Sequence, residues 1–373
     1  MLVAGSYERF LFGLECGATR EAPTLSRAFT FPAHKGAIKC VAALAPFVAS
    51  GGADDTIHLY NFQTNTDVGF LMSPGDGAVS AVRFFAPAPG AAPSHLLSGS
   101  ADGSISIWAA NAEWDCLKTL PGHKKEVCGL AVHPSGRLAL STGRDSVLRM
   151  WNLVKGRCQY KTSLPACSEC VEFSPGGGAY ALACGRKVSV QSVEGGVLAT
   201  REQAARALCL AFLSEQVLVL GGEDGSLNAW DVRSSSPALA LPRAHAARIR
   251  GVAPAAAPGG GGASALGAAS SDGVVRLWDL RRAGSAGASG SGAGAAAATR
   301  GWLAEVATGA RKKKAKVPWT AVAHAEGAAP RQQKKRDLPD DGVVVHDGVV
   351  EFLDGPGKGI KVKGKKRKAL DKP

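Results

Sequence analysis

The chain has 373 residues, of which 45% are hydrophobic and only 6% aromatic, with 47 Gly and 20 Pro, a composition that supplies a large core and many turns and argues against long helices. The net charge of +13 is unevenly spread: residues 300–373 hold 18 Lys/Arg against 9 Asp/Glu, so the tail carries +9 and the rest only +4. No stretch reaches the roughly 18 apolar residues of a membrane helix; Glu8 and Arg9 break what would be a signal peptide's apolar core; and nine scattered cysteines, an odd number, fit reduced intracellular thiols better than a disulfide framework.

Read from the N-terminus, one pattern recurs: a pair of small residues, an acidic residue in a tight turn, then alternating apolar residues that end on an aromatic. VAGSYERFLFGLE (3–15) is a degenerate copy in which Gly5, Ser6 and Glu8 lead to Leu14 in the aromatic place. SGGADDTIHLYN (50–61), SGSADGSISIWA (98–109), STGRDSVLRMWN (141–152), LGGEDGSLNAWD (220–231) and AASSDGVVRLWD (268–279) are clear copies ending on Tyr60, Trp108, Trp151, Trp230 and Trp278. These aromatics stand 48, 43, 79 and 48 residues apart, and 79 is about twice a repeat of ~40–45 residues. The missing copy is ACGRKVSVQSV (183–193), with Val188 and Val190 alternating and Gln191 in the aromatic place.

Each copy divides into short strands with a period of two, such as IHLY, ISIW, LRMW and VRLW. The apolar runs before them, AIKCVAAL (37–44), EVCGLAVH (126–133) and ALCLAFL (207–213), read as innermost strands buried on both faces. Four strands per repeat and seven repeats resemble a WD40 β-propeller, so the expected fold is all-β and seven-bladed. Residues 1–307 form the expected propeller. Its closing blade is shared between 1–31 and TRGWLAEVA (about 299–307), so that no sheet edge stays open. The intervening 283–298, all Ala, Gly and Ser, reads as a flexible insert, PGGGGA (258–263) as a surface loop, and 308–373 as a disordered basic tail.

WD repeats share a buried polar set: His before the inner strand, Ser or Thr on the next strand, Asp in the turn, and Trp. His123, Ser141, Asp145 and Trp151 match all four places, and His34, Ser50, Asp54 and Tyr60 match with Tyr in place of Trp. Asp102 and Trp108 have Ser98 but Gly75 in the His place; Asp272 and Trp278 have His245 but Ala268 in the Ser place; Asp224 and Trp230 mark the remaining clear copy. One indole donor, a hydroxyl, an imidazole and a carboxylate can satisfy one another in a buried place. A His–Ser–Asp set also resembles a hydrolase triad, but a Ser inside a blade beside Trp has neither substrate access nor an oxyanion hole, so no catalytic residue is assigned. Cys167 and Cys170 form a CxxC with no second pair at zinc spacing, Cys158 and Cys184 being the nearest thiols expected; they read as buried thiols, not a metal site. GPGKG (355–359) lacks the spacing and the Ser/Thr of a P-loop. No cofactor and no enzymatic activity are expected.

The tail carries three basic clusters: RKKKAK (311–316), RQQKKR (331–336) and KGIKVKGKKRK (358–368). Arg311, Lys312, Lys313, Lys314, Lys334, Lys335, Arg336, Lys365, Lys366, Arg367 and Lys368 are the candidates for nuclear import and for sequence-independent contact with RNA phosphates. Between the clusters, DDGVVVHDGVVEFLDGP (340–356) reads either as a docking segment for a partner or as a β-like piece that packs back on the propeller.

The block HPSGRLALSTGRDSVLRMWNLVKGR (133–157), preceded by WDCLKTLPGHKKEV (114–127), together with the opening LVAGSYERFLFGL and the basic tail, resembles the p21-activated kinase-interacting protein family and its yeast Mak-type counterpart. The resemblance covers about residues 2–280, and the tail by composition only. It implies a nucleolar scaffold in large (60S) ribosomal subunit assembly, a monomer within a larger complex that contacts assembly proteins and pre-rRNA. In animals it also implies binding and restraint of a p21-activated kinase. The competing expectation is a substrate receptor of a cullin-RING ubiquitin ligase, because WDVR (230–233) and WDLR (278–281) place Arg233 and Arg281 in a WD-x-Arg adaptor-docking box.

Overall fold

The computed structural model describes residues 1–18, 23–234, 237–255, 265–279, 302–307 and 319–324, the last two segments by backbone only. The chain divides into a unit spanning Met1–Ala329 and a second, Pro330–Pro373, which lies outside the described residues. The first unit is all-β. Three strands of its first blade are β1 (Leu2–Ser6), β2 (Phe10–Ala18) and β3 (Pro23–Pro32). Blade 2 is β4 (Ile38–Leu44), β5 (Phe47–Gly52), β6 (Thr56–Asn61) and β7 (Thr66–Met72). Blade 3 is β8 (Val79–Phe85), β9 (His95–Ser100), β10 (Ile105–Ala109) and β11 (Cys116–Leu120). Blade 4 is β12 (Val127–Val132), β13 (Leu138–Gly143), β14 (Val147–Asn152) and β15 (Arg157–Ser163). Blade 5 is β16 (Ser168–Phe173), β17 (Ala179–Cys184), β18 (Lys187–Ser192) and β19 (Val197–Glu202). Blade 6 is β20 (Ala207–Phe212), β21 (Val217–Gly222), β22 (Leu227–Asp231) and β23 (Pro237–Leu241). Blade 7 is β24 (Ile249–Ala255), β25 (Ala265–Ser270), β26 (Val274–Asp279) and β27 (Trp302–Ala307). The last strand, β28 (Trp319–His324), returns to blade 1, whose order is β28-β1-β2-β3. Seven four-stranded antiparallel sheets result, a seven-bladed propeller.

The apolar runs of the sequence follow from what lies on each side of a blade. Neighbouring residues of a strand point to opposite faces, and here both faces are covered. Leu96 packs in the seam between blades 2 and 3 while Leu97 packs between blades 3 and 4. Ala139 and Leu140 divide in the same way between the seams on either side of blade 4. The core is therefore a ring of seven interblade clusters, each fully buried Leu or Val contributing about 1.5–3 kcal/mol. Outermost strands such as β15 and β19 are mostly exposed and carry the charged residues. The glycine of the recurring Ser-Gly pair has a packing role. A Cβ on Gly51 would lie 2.6 Å from Val79 Cγ1, and one on Gly99 2.8 Å from Val127 Cγ1, so glycine lets the next blade's inner strand approach.

Closure differs from the sequence expectation. Residues 302–307 do not complete the N-terminal blade: β27 pairs antiparallel with β26 (Arg276↔Glu305, Trp278↔Trp302) as the outer strand of blade 7. The ring is closed by β28, which pairs with β1 through Leu2↔His324, Val3↔Ala323 and Ala4↔Val322. The physical reason is strand count. Blade 7 would have only three strands without β27, so the inner strand of blade 1 has to come from further along the chain. The expected boundary at 307 accordingly moves past His324, and WTAVAH (319–324), assigned to the disordered tail, is a propeller strand. The Gly-rich loop (258–263) and the Ala/Gly/Ser stretch (283–298) lie outside the described residues.

Candidate functional site

In blade 4 the four polar residues form one directional chain. The Trp151 indole N–H donates to Ser141 Oγ at 2.8 Å, and the Ser141 hydroxyl reaches His123 Nε2 at 2.7 Å. His123 Nδ1 lies 2.9 Å from Asp145 Oδ1, and the Lys124 amide donates to Asp145 Oδ2 at 3.0 Å. A neutral imidazole protonated at Nδ1 satisfies every step. Burial holds the His123 pKa below its ordinary value against the opposing pull of Asp145. Burial alone would raise Asp145, but the hydrogen bonds from the Lys124 amide and His123 outweigh it and hold the carboxyl low. The distances match those of a hydrolase triad, yet Ser141 is fully buried and its oxygen is already held by the indole. The set ties the loop entering β12 to the β13–β14 turn and leaves no place for a substrate.

The other blades depart from this chain one residue at a time. In blade 2, His34 Nε2 meets Ser50 Oγ at 2.8 Å, His34 Nδ1 meets Asp54 Oδ1 at 2.9 Å, and Thr56 Oγ1 donates to Asp54 at 2.8 Å. Burial opposes ionisation of Asp54, but these bonds and the Lys35 amide prevail and hold it far below the ordinary carboxylate value. Tyr60, expected in the Trp place, takes no part. Its ring packs between Phe29 and Phe31 with centroids 4.6 and 5.0 Å away, and its hydroxyl points to Asn65. A phenol carries its donor at the far end of the ring, beyond the reach of Ser50. In blade 3, Trp108 donates to Ser98 Oγ at 2.9 Å, and Asp102 accepts from the Ser104 and Asp76 amides instead of from a histidine. A Cβ on Gly75 would fall 2.3 Å from Asp102 Oδ2, so this blade has no room for one.

Blade 6 places Gln203 where the histidine would be, bonded to Asn228. Asp224 accepts from the Ser226 hydroxyl, and Trp230 donates to the Ser234 carbonyl at 3.0 Å. In blade 7, His245 Nδ1 stands 3.4 Å from Asp272 Oδ2, but Ala268 supplies no hydroxyl, and His245 Nε2 and Trp278 Nε1 are buried without a hydrogen-bond partner. In blade 5, Gln191 accepts from the Tyr180 hydroxyl at 2.8 Å. Gln203 and Tyr180 went unread in the sequence, although their offsets from the strand starts would locate them.

The inner strands β4, β8, β12, β16, β20 and β24 line a central channel enclosing about 250 Å³. Arg83 crosses part of it: Nε donates to the Leu130 carbonyl of blade 4 at 3.1 Å, and Nη2 to Glu172 Oε2 of blade 5 at 2.5 Å. Burial pushes the Glu172 carboxyl up, and Arg83 works against that. The partners are 89 residues apart, so nothing local in the sequence announces the pair. Cys40, Cys128, Cys170 and Cys209 also line the channel. Of the CxxC, Cys167 meets Cys128 at 3.7 Å and lies beside Cys184, whose strand position pairs with Ser168, while Cys170 turns into the channel; both are half-buried free thiols. His34, Asp54 and His58 are the one His/Cys/Asp/Glu cluster close enough to hold a metal ion among the described residues, and the relay already engages His34 and Asp54. Arg233 is exposed and turned back onto Asp231 of its own turn at 2.8 Å. Arg281 and the tail candidates Arg311, Lys312, Lys313, Lys314, Lys334, Lys335, Arg336, Lys365, Lys366, Arg367 and Lys368 lie outside the described residues.

The model of the family "WD domain, G-beta repeat" matches residues 25–61, 71–109 and 114–152. The "p21-activated protein kinase-interacting protein 1-like" of Danio rerio is 36% identical over 280 residues, 75% of this chain and 73% of the relative. "Protein MAK11" of Saccharomyces cerevisiae is 30% identical over 170 residues, 41% of each chain. Among solved structures, that of U3-55K superposes with a TM-score of 0.57 at 20% identity, over 66% of this chain and 78% of that one, a likeness of fold.

Proposed function

The chain belongs to the p21-activated protein kinase-interacting protein family of WD-repeat proteins, and from that membership we propose that it is a non-catalytic scaffold of large ribosomal subunit assembly. The observation that carries this reading is the extent of the similarity. It runs over 280 residues, 75% of the chain, which is more than any few blades could supply. A ring of seven blades offers a rigid surface with loops at both ends, and its two His–Ser–Asp sets, in blades 2 and 4, are consumed in holding those loops. The basic C-terminal region adds the second element: +9 of the +13 charge lies after residue 299, in the 311–316 cluster between β27 and β28 and in the clusters at 331–336 and 358–368 beyond β28, and these supply sequence-independent affinity for pre-rRNA phosphates and an address for the nucleus and nucleolus. Binding of a p21-activated kinase, which the relative's name records, is compatible with the scaffold role.

The test is affinity purification of the full chain from nuclear extract at low and high salt. The scaffold reading expects large-subunit precursor proteins at both salts, with rRNA released first as salt rises. Recovery of a ligase adaptor propeller without ribosomal precursors would replace it by the cullin-RING reading. The self-paired geometry of Arg233 lends that alternative no support.

A further inference from the structure

The seam between blades 3 and 4 opens, at the end bearing the β8–β9, β12–β13 and β14–β15 turns, into a groove of about 410 Å³. That volume lies within the range of preformed ligand pockets. Its floor is apolar: Phe85, Leu97, Ile107 and Leu153 line it. Leu117 and Val154 stand at its lip, 56% and 76% exposed, and carry the apolar lining of the groove out to the surface. The rim is basic. Lys118 and Lys155 both line the groove, no carboxylate does, and neither ammonium has an ion-pair partner among the described residues. The walls are set by backbone geometry: Gly136 and Gly156 adopt positive φ and bring the two turns against the Phe85 ring and the Lys118 side chain.

We propose that this groove is a docking site for an acidic peptide segment of a partner protein, which seats one or two large apolar side chains on the Leu97–Ile107–Leu153 floor while its carboxylates meet Lys118 and Lys155. Charge complementarity selects this occupant. Two unpaired ammonium groups at an apolar lip repel a basic segment and attract an acidic one, and they steer its approach. The apolar floor supplies affinity through the anchor side chains. The inference deepens the scaffold reading, resting on it only for the existence of a protein partner, and it is tested on the purified chain alone.

The probe is a fluorescent synthetic peptide with a Phe-Leu core flanked on each side by Asp and Glu, titrated by anisotropy against the full chain. Binding is expected to weaken about ten-fold or more when the core is replaced by Ser-Gly, and equally in the protein variant L117D/V154D. The variant K118E/K155E should reverse the preference toward a peptide with Lys flanks. All four positions are exposed, so each variant should melt like the wild type. Absence of binding overturns the proposal. So does binding that is indifferent to the Phe-Leu core and to L117D/V154D, because that is the behaviour of a basic tail attracting any acid. A failed titration beside a successful ribosomal pull-down removes the groove and leaves the scaffold role standing.

Discussion

Trp151→Phe and Trp278→Phe make the same chemical change in two blades, and the structure says they should differ. Both indoles are essentially fully buried, so both variants lose one ring's worth of packing. Trp151 also loses the 2.8 Å bond to Ser141, in the middle of a chain that continues to His123 and Asp145. Trp278 loses no bond, because its Nε1 has no partner, and the variant removes a buried unpaired donor. The lost bond and the acceptor site it leaves unfilled on buried Ser141 are together worth about 1–3 kcal/mol. Trp151→Phe should therefore cost about that much more than Trp278→Phe. At about 2 °C per kcal/mol for a body of this size, the two Tm values should differ by about 2–6 °C. Thermal unfolding of the full chain, followed by far-UV circular dichroism, reads this directly, and a urea titration checks that m is unchanged. Equal losses, or a larger loss at Trp278, would refute the view that the polar chain of blade 4 contributes beyond its packing.

Ala268→Ser should restore the missing link between Trp278 and His245 and raise Tm by a few degrees, about 1–3 kcal/mol for two buried groups newly satisfied; an unchanged or lower Tm counts against it. Deleting 325–373 should leave the melting transition intact, whereas deleting 308–373 removes β28 and exposes the β1 edge, giving aggregation or loss of cooperative unfolding, which light scattering during the melt distinguishes. Stability should fall with acid in two stages. His123 is depressed in the folded state, so its contribution is full above the ordinary histidine value of about 6.5 and is lost below it. Asp54, Asp145 and Asp272 are also depressed, so theirs is present above about 4 and lost as pH falls further. In a pH series of Tm, His123→Gln should shrink the first stage to the part that His58, also depressed by burial, contributes, and take from the second only the part of Asp145's share that His123 supplies. Deleting 325–373 removes the clusters at 331–336 and 358–368 and leaves 311–316 in place; it should lessen the salt dependence of RNA binding and reduce nucleolar accumulation of a tagged chain, and undiminished accumulation would assign the address to residues before 325.

The repeat itself was legible because its chemistry is local. Ser141, Asp145 and Trp151 lie within eleven residues, and His123 stands four residues before the inner strand as His34 and His245 do in their blades, so the blade 4 relay can be written down from the sequence. Tyr60 was misread because the pattern records an aromatic, not where its donor sits; a phenol and an indole of similar bulk present that donor several ångströms apart. Closure was misread because β27 and β28 are both short alternating segments. Only pairing to β26 or to β1 separates them, and those partners are local in one case and more than 300 residues away in the other. Arg83–Glu172 and the groove between blades 3 and 4 were illegible for the same reason, since each exists only once distant strands stand side by side.

That β1 takes its inner neighbour from β28 has a consequence for synthesis. The three N-terminal strands leave the ribosome with one edge unpaired and must keep it so until residue 324 has followed. At about 5–20 residues per second, the wait is on the order of a minute or less, but throughout it a hydrophobic edge containing Leu2, Val3 and Ala4 is available to any other strand in reach. The blades between can form in order as they emerge, each resting on the one before, while the ring stays an open arc. The last step is the capture of one short strand by a site completed long before. The chain is thus most vulnerable to misassembly on the ribosome itself, in the interval before its own end arrives.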